Sequence, residues 1–336
     1  MTRRLAEVAR YVGVSEATVS RVLNGKPGIS EATRAAVLTA LDVLGYERPS
    51  KLRGERARLV GLVLPELQNP IFPAFAEVVA GALAKRGFTP VLCTRTAEGV
   101  SEQDYVDMLL DQHVSGVIFS GGLYAQADAD HHHYRRLVAR RLPVVLVNAA
   151  IDELDFPCVA TDDRHAVDQA YRHLASLGHD HIGLLLGPPD HVPSNRKLAA
   201  FTAAGGNPTL VQRAMFPMDS AHAAAVRLVK HGATGIICAS DPLALGAIRA
   251  VRRLGLHVPT DISVIGYDDS TFMTCTDPPL TTVRQPIEAI GQAAVALLAN
   301  QIAGNPVPTD EMLFDPELVV RSSTAIAKPA TAAAAA

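Results

Sequence analysis

Apolar residues recur along this chain with two different periods, and the change falls near residue 59. Before it the spacing is helical. Val19, Val22 and Leu23 stand at i, i+3 and i+4 and predict one face turned to a small core, with Ala17 and Arg21 sharing the opposite face. A helix is expected from about Leu5 to Val12, and Gly13 permits the turn that follows. Ser15 suits an N-cap, and Glu16 lies beside the positive helix end. Ser30 caps a third helix running to about Leu44, where Gly45 marks a stop.

From Leu59 onward, short apolar runs alternate with helical stretches. Strands are expected at 59–64, 90–93, 116–119 and 143–147, with helices at 73–86, 101–111 and 134–140 between them. The alternation starts again after Cys158. Helices at 166–177, 196–204 and 243–254 interleave with strands at 182–186, 235–238 and 263–266. Two such runs predict two doubly wound parallel-sheet lobes, which bind ligands at the carboxyl ends of their strands and face each other across a cleft.

Composition sharpens the division. Apolar residues make up 48% of the 336, so the chain is globular. Its net charge of -3 hides an uneven distribution: residues 1–58 carry eleven Lys/Arg against six Asp/Glu, and the remainder is acidic. A basic end on an acidic body suits a nucleic-acid module joined to a sensor. Cys93, Cys158, Cys238 and Cys275 are widely spaced and predict neither disulfides nor a metal site. His131-His132-His133 lacks ligand-spaced partners and is expected as a solvated helix start. No apolar run reaches membrane-spanning length and no signal-peptide pattern opens the chain, so a cytoplasmic protein without cofactor or metal is expected.

The first helices form a helix-turn-helix pattern, whose second helix enters the DNA major groove. Enzyme motifs are missing from the body: no Gly-x-Gly-x-x-Gly follows the first strand, and there is neither a phosphate loop nor a nucleophile elbow. Asp162/Asp163 and Asp268/Asp269 are adjacent pairs that point apart on a strand, so neither makes a ready acid–base dyad. A sugar-binding transport receptor fits the body but not the helix-turn-helix.

The chain resembles the LacI/GalR transcriptional repressors over about 320 residues. Landmarks recur in order: Val14-Ser15-x-x-Thr18-Val19-Ser20-Arg21-Val22-Leu23-Asn24, Leu44-Gly45-Tyr46, Gly178-His179, Ser240-Asp241-x-x-Ala244-x-Gly246-Ala247, Asp261 to Asp269, and Pro279-Leu280-Thr281-Thr282-Val283. Within the family the resemblance is closest to actinobacterial regulators of maltose and starch use. It implies a homodimer that binds operator DNA, with a body similar to periplasmic sugar-binding proteins and a small effector in the cleft. A sugar such as a malto-oligosaccharide is the expected effector, with a purine or other corepressor as the alternative. The implied domains are a helix-turn-helix domain at 1–46, a hinge at 47–58, an amino-terminal lobe at 59–156 and about 286–315, a carboxy-terminal lobe at 157–285 and about 316–325, and a disordered tail at 326–336.

Site residues follow from the resemblance one position at a time. Base contacts fall to Glu16, Ala17 and Arg21, and phosphate contacts to Ser15, Thr18, Asn24, Ser30 and Thr33. Arg21 is suited to grip guanine O6 and N7 together. Family hinges read Pro-x-x-x-Ala-Arg-x-Leu, whereas this chain has Pro49-Ser50-Lys51-Leu52-Arg53-Gly54-Glu55-Arg56. Leu52 is the nearest candidate for a minor-groove wedge, Arg53 and Arg56 are candidate phosphate contacts, and Gly54 weakens a hinge helix by roughly 1 kcal/mol. In the cleft, the resemblance implies effector contacts from Phe72, Ser120, Asn148, Asp162, Arg196, Lys197, Ser240, Asp268 and Gln285. Lys197 stands where the family has arginine and lacks its planar two-pronged grip.

Overall fold

A computed structural model of the protein describes residues 2–24, 26, 28–44, 58–95 and 99–328. The chain divides into two units, 1–58 and 59–336. The expected hinge residues Leu52, Arg53 and Arg56, the Gly45-Tyr46 landmark and the end of the tail from residue 329 lie outside the described residues.

The first unit is three helices: α1 (Thr2–Val12), α2 (Glu16–Leu23) and α3 (Glu31–Val43). Gly13 takes the left-handed turn between the first two at φ 75°. Ser15 Oγ accepts the backbone N–H of Thr18 at 3.1 Å, which satisfies one of the open donors at the start of α2. Ser30 does the same for Thr33 at the start of α3, also at 3.1 Å. Val8, Val19, Val22, Val37 and Leu41 are buried together as the core, while Leu23 is half-buried at its edge.

The second unit begins with β1 (Arg58–Leu64), α4 (Ile71–Ala84), β2 (Phe88–Thr94), α5 (Glu102–Asp111), β3 (Gly116–Ser120), α6 (His132–Ala139), β4 (Val144–Val147) and β5 (Cys158–Thr161). Next come α7 (Asp163–Ser176), β6 (Ile182–Leu186), α8 (Val192–Ala203), β7 (Val211–Arg213), α9 (Ala221–Lys230), β8 (Gly235–Cys238), α10 (Asp241–Arg253), β9 (Ser263–Asp268) and β10 (Thr281–Arg284). The chain closes with α11 (Ile287–Ile302), β11 (Met312–Phe314) and β12 (Glu317–Val319). One six-stranded sheet has the order β11-β5-β4-β3-β1-β2, the other β12-β10-β9-β8-β6-β7. The chain crosses between the lobes after β5, after β10 and between β11 and β12.

Several boundaries differ from the sequence reading. Cys158–Thr161 pairs in parallel with β4, in the register Leu146↔Cys158 and Val147↔Val159, so the crossing falls at Asp162 rather than at 157. Helix α8 starts at Val192 instead of 196, since Pro193 suits a first turn and His191 caps it. Ala-rich α9 and the apolar helix α11 were not marked by period alone. His133 is not solvated: it is buried, with Nε2 3.2 Å from Glu102 Oε1, and only His132 of the triplet is exposed.

Gly246 shows why one landmark is glycine. A Cβ there would sit 2.2 Å from the Met218 carbonyl oxygen and 2.7 Å from the Ala221 side chain, where α10 meets the turn before α9. Replacing a mid-helix glycine with alanine ordinarily stabilises by about 1 kcal/mol. Here Gly246→Ala is expected to destabilise the body by about 3 kcal/mol through overpacking against backbone, measured by urea unfolding. A stabilised variant would contradict this contact.

Candidate functional site

The cleft between the two lobes of the second unit holds a cavity of about 280 Å³. Its walls come from loops at the carboxyl ends of β1, β3, β4, β6, β8 and β9, where parallel strands leave a crevice. Of the residues anticipated from sequence, Phe72, Ser120, Asn148, Lys197, Ser240, Asp268 and Gln285 line it.

Asp268 sits at its polar end, buried at the last position of β9. Asn69 Nδ2 donates to Oδ2 at 3.0 Å, and Gln285 Nε2 donates to Oδ1 at 2.7 Å. Burial, reinforced by the nearby Asp241 carboxylate, pushes the Asp268 carboxyl above the usual range, while those two donors and Lys197 act the other way. Gln285 continues the chain: its Oε1 accepts from the Thr161 hydroxyl at 2.8 Å and faces Asn148 Nδ2 at 3.5 Å. Asn148 Oδ1 in turn accepts the Thr161 N–H at 3.1 Å. The network thus passes from one lobe to the other through a crossing segment. Asn148, Asp268 and Asp269 all have positive φ, at 69°, 124° and 56°. Such non-glycine strain is held only where the surroundings over-determine it.

A second cluster lies beside the first. Lys197, buried on α8, pairs with Asp163 Oδ1 and stands 3.9 Å from the Tyr267 ring centroid. The Tyr267 hydroxyl donates to the same Asp163 oxygen at 3.0 Å. Its phenol is pushed well above the usual range, first by burial and then by Asp163. Aromatic and apolar surface faces these groups from Phe72, Phe75 and Phe216.

Two anticipated residues do not line the cavity. Asp162 caps α7, accepting the His165 N–H at 3.0 Å, so its neighbour Asp163 is the acid that faces the cleft. Arg196 points to Glu311, with Nη1 2.7 Å from Oε1. The sequence reading also missed Asn69, Asp163, His191, Phe216 and Tyr267. Asp163 had a legible signal: a short acid just before a helix prefers the cap, which leaves the next residue for other work. The others carry no local signal, because their partners are distant in sequence: Asn69 meets Asp268, Tyr267 meets Asp163, and Phe216 packs on His191.

On the first unit, Glu16, Ala17 and Arg21 are exposed on α2. Hydroxyl pairs brace the helix starts, Ser15 with Thr18 at 2.9 Å and Ser30 with Thr33 at 2.8 Å. Asn24 Nδ2 donates to the Ser20 carbonyl at 2.8 Å and closes α2. Among the described residues no group of His, Cys, Asp and Glu is placed to hold a metal ion, and no helix is long and apolar enough to cross a membrane.

Comparison with known proteins places both units. Residues 4–49 match the family model for bacterial regulatory proteins of the lacI family, and residues 171–324 match a periplasmic binding protein-like domain. The chain is 52% identical to the HTH-type transcriptional regulator reg1 of Streptomyces lividans, over 97% of this chain and 98% of that one. It is 51% identical to the regulator MalR of Streptomyces coelicolor, over 97% and 98%. Among solved structures, the transcriptional regulator CelR–cellobiose complex superposes with a TM-score of 0.71 at 33% identity, covering 95% of this chain and 99% of that one. The lac repressor dimer bound to operator and an anti-inducer matches with a TM-score of 0.71 at 30% identity, over 95% and 98%. With a helix-turn-helix at one end, a two-lobed cleft in the body and relatives that match from end to end, the chain belongs to the lacI family of bacterial transcriptional regulators.

Proposed function

We propose that this regulator is a cytoplasmic homodimeric repressor whose affinity for a specific operator is set by a neutral sugar of the malto-oligosaccharide class. It acts by binding and not by catalysis. The observation that carries the effector reading is the make-up of the cleft: aromatic walls beside Asp268, Asn69, Asn148 and Gln285. Sugars offer an apolar ring face and many hydroxyls, and carboxylates and amides answer the hydroxyls in two directions. Lys197 is already paired with Asp163, and along the cavity lining the acids Glu66, Asp163 and Asp268 outnumber the cations Lys197 and Arg95, which disfavours a phosphate or carboxylate. The MalR relative and the cellobiose-bound CelR neighbour support the same class.

For DNA, Glu16, Ala17 and Arg21 are assigned to base edges, and Ser15, Thr18, Asn24, Ser30 and Thr33 to phosphates. Leu52, Arg53 and Arg56 are the assigned hinge contacts. The exposed face of α2 supports the first group. Hydroxyls at the starts of α2 and α3 sit where helix termini favour anions. Ligand binding in the cleft shifts the population between two dimer states that differ in operator affinity.

Arg21→Ala is expected to weaken binding to the preferred operator about tenfold or more relative to random duplex, since a bidentate guanine contact discriminates by about 1–3 kcal/mol. Maltotriose affinity, measured by calorimetry on the same preparation, stays unchanged. Equal loss of both would show that the variant had damaged the whole protein. Operator affinity of the wild-type chain should also fall steeply with added salt in fluorescence anisotropy titrations.

Asp268 has a pH consequence. Its folded-state carboxyl is raised above the unfolded value, so its contribution to stability is complete below the usual carboxylate range and is lost as pH rises through the raised range. The ligand-free protein should therefore lose up to about 1.4 kcal/mol per pH unit from this proton, read as the difference between wild type and Asp268→Asn in urea unfolding at pH 5 and pH 8. The same variant should bind maltotriose at least about tenfold more weakly, the loss expected for a hydrogen bond to a charged group. Matching pH slopes in the two proteins would place the titrating carboxyl elsewhere.

A further inference from the structure

His191 stands at the entrance to α8 and on the cavity wall. The backbone N–H of Ser194 donates to its Nδ1 at 3.3 Å, and the Ser194 hydroxyl lies 2.9 Å from the same atom. A ring nitrogen that accepts a backbone N–H carries no proton of its own, so the proton of the neutral imidazole is on Nε2. Burial, with Lys197 and Arg213 nearby, pushes the ring down to about 3 and keeps it neutral. Among the described residues Nε2 has no hydrogen-bond partner, and it is not among the atoms sealed from solvent.

The ring is held in place from several sides. Phe216 packs edge-on against it, centroids 4.9 Å apart at 73°. Arg213 fixes the preceding loop by donating to the Gly187 and Pro188 carbonyls at 3.2 and 2.9 Å, and to Asn195 Oδ1 at 2.8 Å. Across the cleft, the His191 backbone forms an antiparallel bridge with Gln126, and Ala127 N–H donates to the Asp190 carbonyl at 2.8 Å. Gln126 lines the same cavity from the other lobe. One residue therefore combines a fixed, open donor with the backbone link that joins the lobes.

We propose that His191 is an effector-binding residue whose Nε2–H donates to a sugar oxygen from the bridge between the lobes, so that the bond is made only in the closed cleft. This assignment rests on the sugar reading above. Its consequence is preferential binding of sugar to the closed state, which is what an effector needs in order to shift a population.

Two substitutions separate the ring's two nitrogens. Asparagine keeps an acceptor at the Nδ1 side, and it is a good N-cap, but removes the Nε2 donor. Glutamine places a donor near Nε2 and loses the cap. The test is calorimetric titration of the full-length protein with maltose, maltotriose and cellobiose, alongside thermal melts. We expect His191→Asn to melt like wild type and bind its best sugar about five- to tenfold more weakly, the range for one lost neutral hydrogen bond. His191→Gln should melt lower and keep affinity within about twofold. Wild-type affinity in His191→Asn, or affinity that merely follows melting temperature in both variants, overturns the assignment and leaves His191 a helix cap. Wild-type protein that takes up no sugar of the panel overturns the sugar reading and the assignment with it.

Discussion

A carboxylate buried between two lobes is the constraint on which this cleft depends. An ionised carboxyl taken out of water is costly unless hydrogen bonds replace its hydration. Asp268 meets that condition only in part, so its carboxyl stays above the usual range, and its donors come from different places: Asn69 precedes α4 on the first lobe, and Gln285 lies on the crossing segment after β10. Only when the lobes are together are both bonds made. The closed arrangement is thus tied to the electrostatics of one residue, and a ligand that brings further hydroxyl donors to that residue acts on the same balance. Backbone strain at Asp268 and Asp269 fits this role, since their unusual φ angles send two adjacent acids to different partners. Asp269 turns to Arg284 at 2.7 Å and Arg321 at 2.6 Å, both within the second lobe.

The neighbouring cluster follows the same logic with opposite signs balanced in place. Lys197, Asp163 and Tyr267 come from α8, the first turn of α7 and β9, and pair with one another inside the second lobe. A cleft built this way presents polar atoms and little net charge. Its chemistry favours ligands whose polarity is spread over many hydroxyls and disfavours those that concentrate it in one anion. Arginine at 197 would present a rigid planar fork of donors to a ligand, whereas the lysine ammonium is a compact point charge.

The helix-turn-helix unit is simpler. Its polar residues brace the helix ends in pairs, and a small apolar core of valine, alanine and leucine holds the three helices. This leaves Glu16, Ala17 and Arg21 outward on α2, spaced so that their orientation follows from the helix alone. The two units of the chain therefore separate their tasks: one presents side chains on a rigid helix, the other assembles a site from many distant segments.

The sequence by itself determined the features that are local. Helical spacing of Val19 and Val22, the caps Ser15 and Ser30, the alternation of strand and helix after Leu59 and the acid at the end of β9 are all read from neighbours a few residues apart. The resemblance carried by ordered landmarks supplied the family and seven residues of the cavity lining. Tertiary structure alone decided which sheet Cys158–Thr161 joins, that Arg196 turns to Glu311, and that His133 is buried on Glu102. Each of these turns on which distant partner a residue meets. Strand pairing, lobe closure and buried polar networks join residues far apart in sequence, by more than a hundred positions for Asn69 with Asp268 and Thr161 with Gln285. Such pairings leave no periodic trace in the chain, because hydrogen-bond satisfaction is a property of the packed interior.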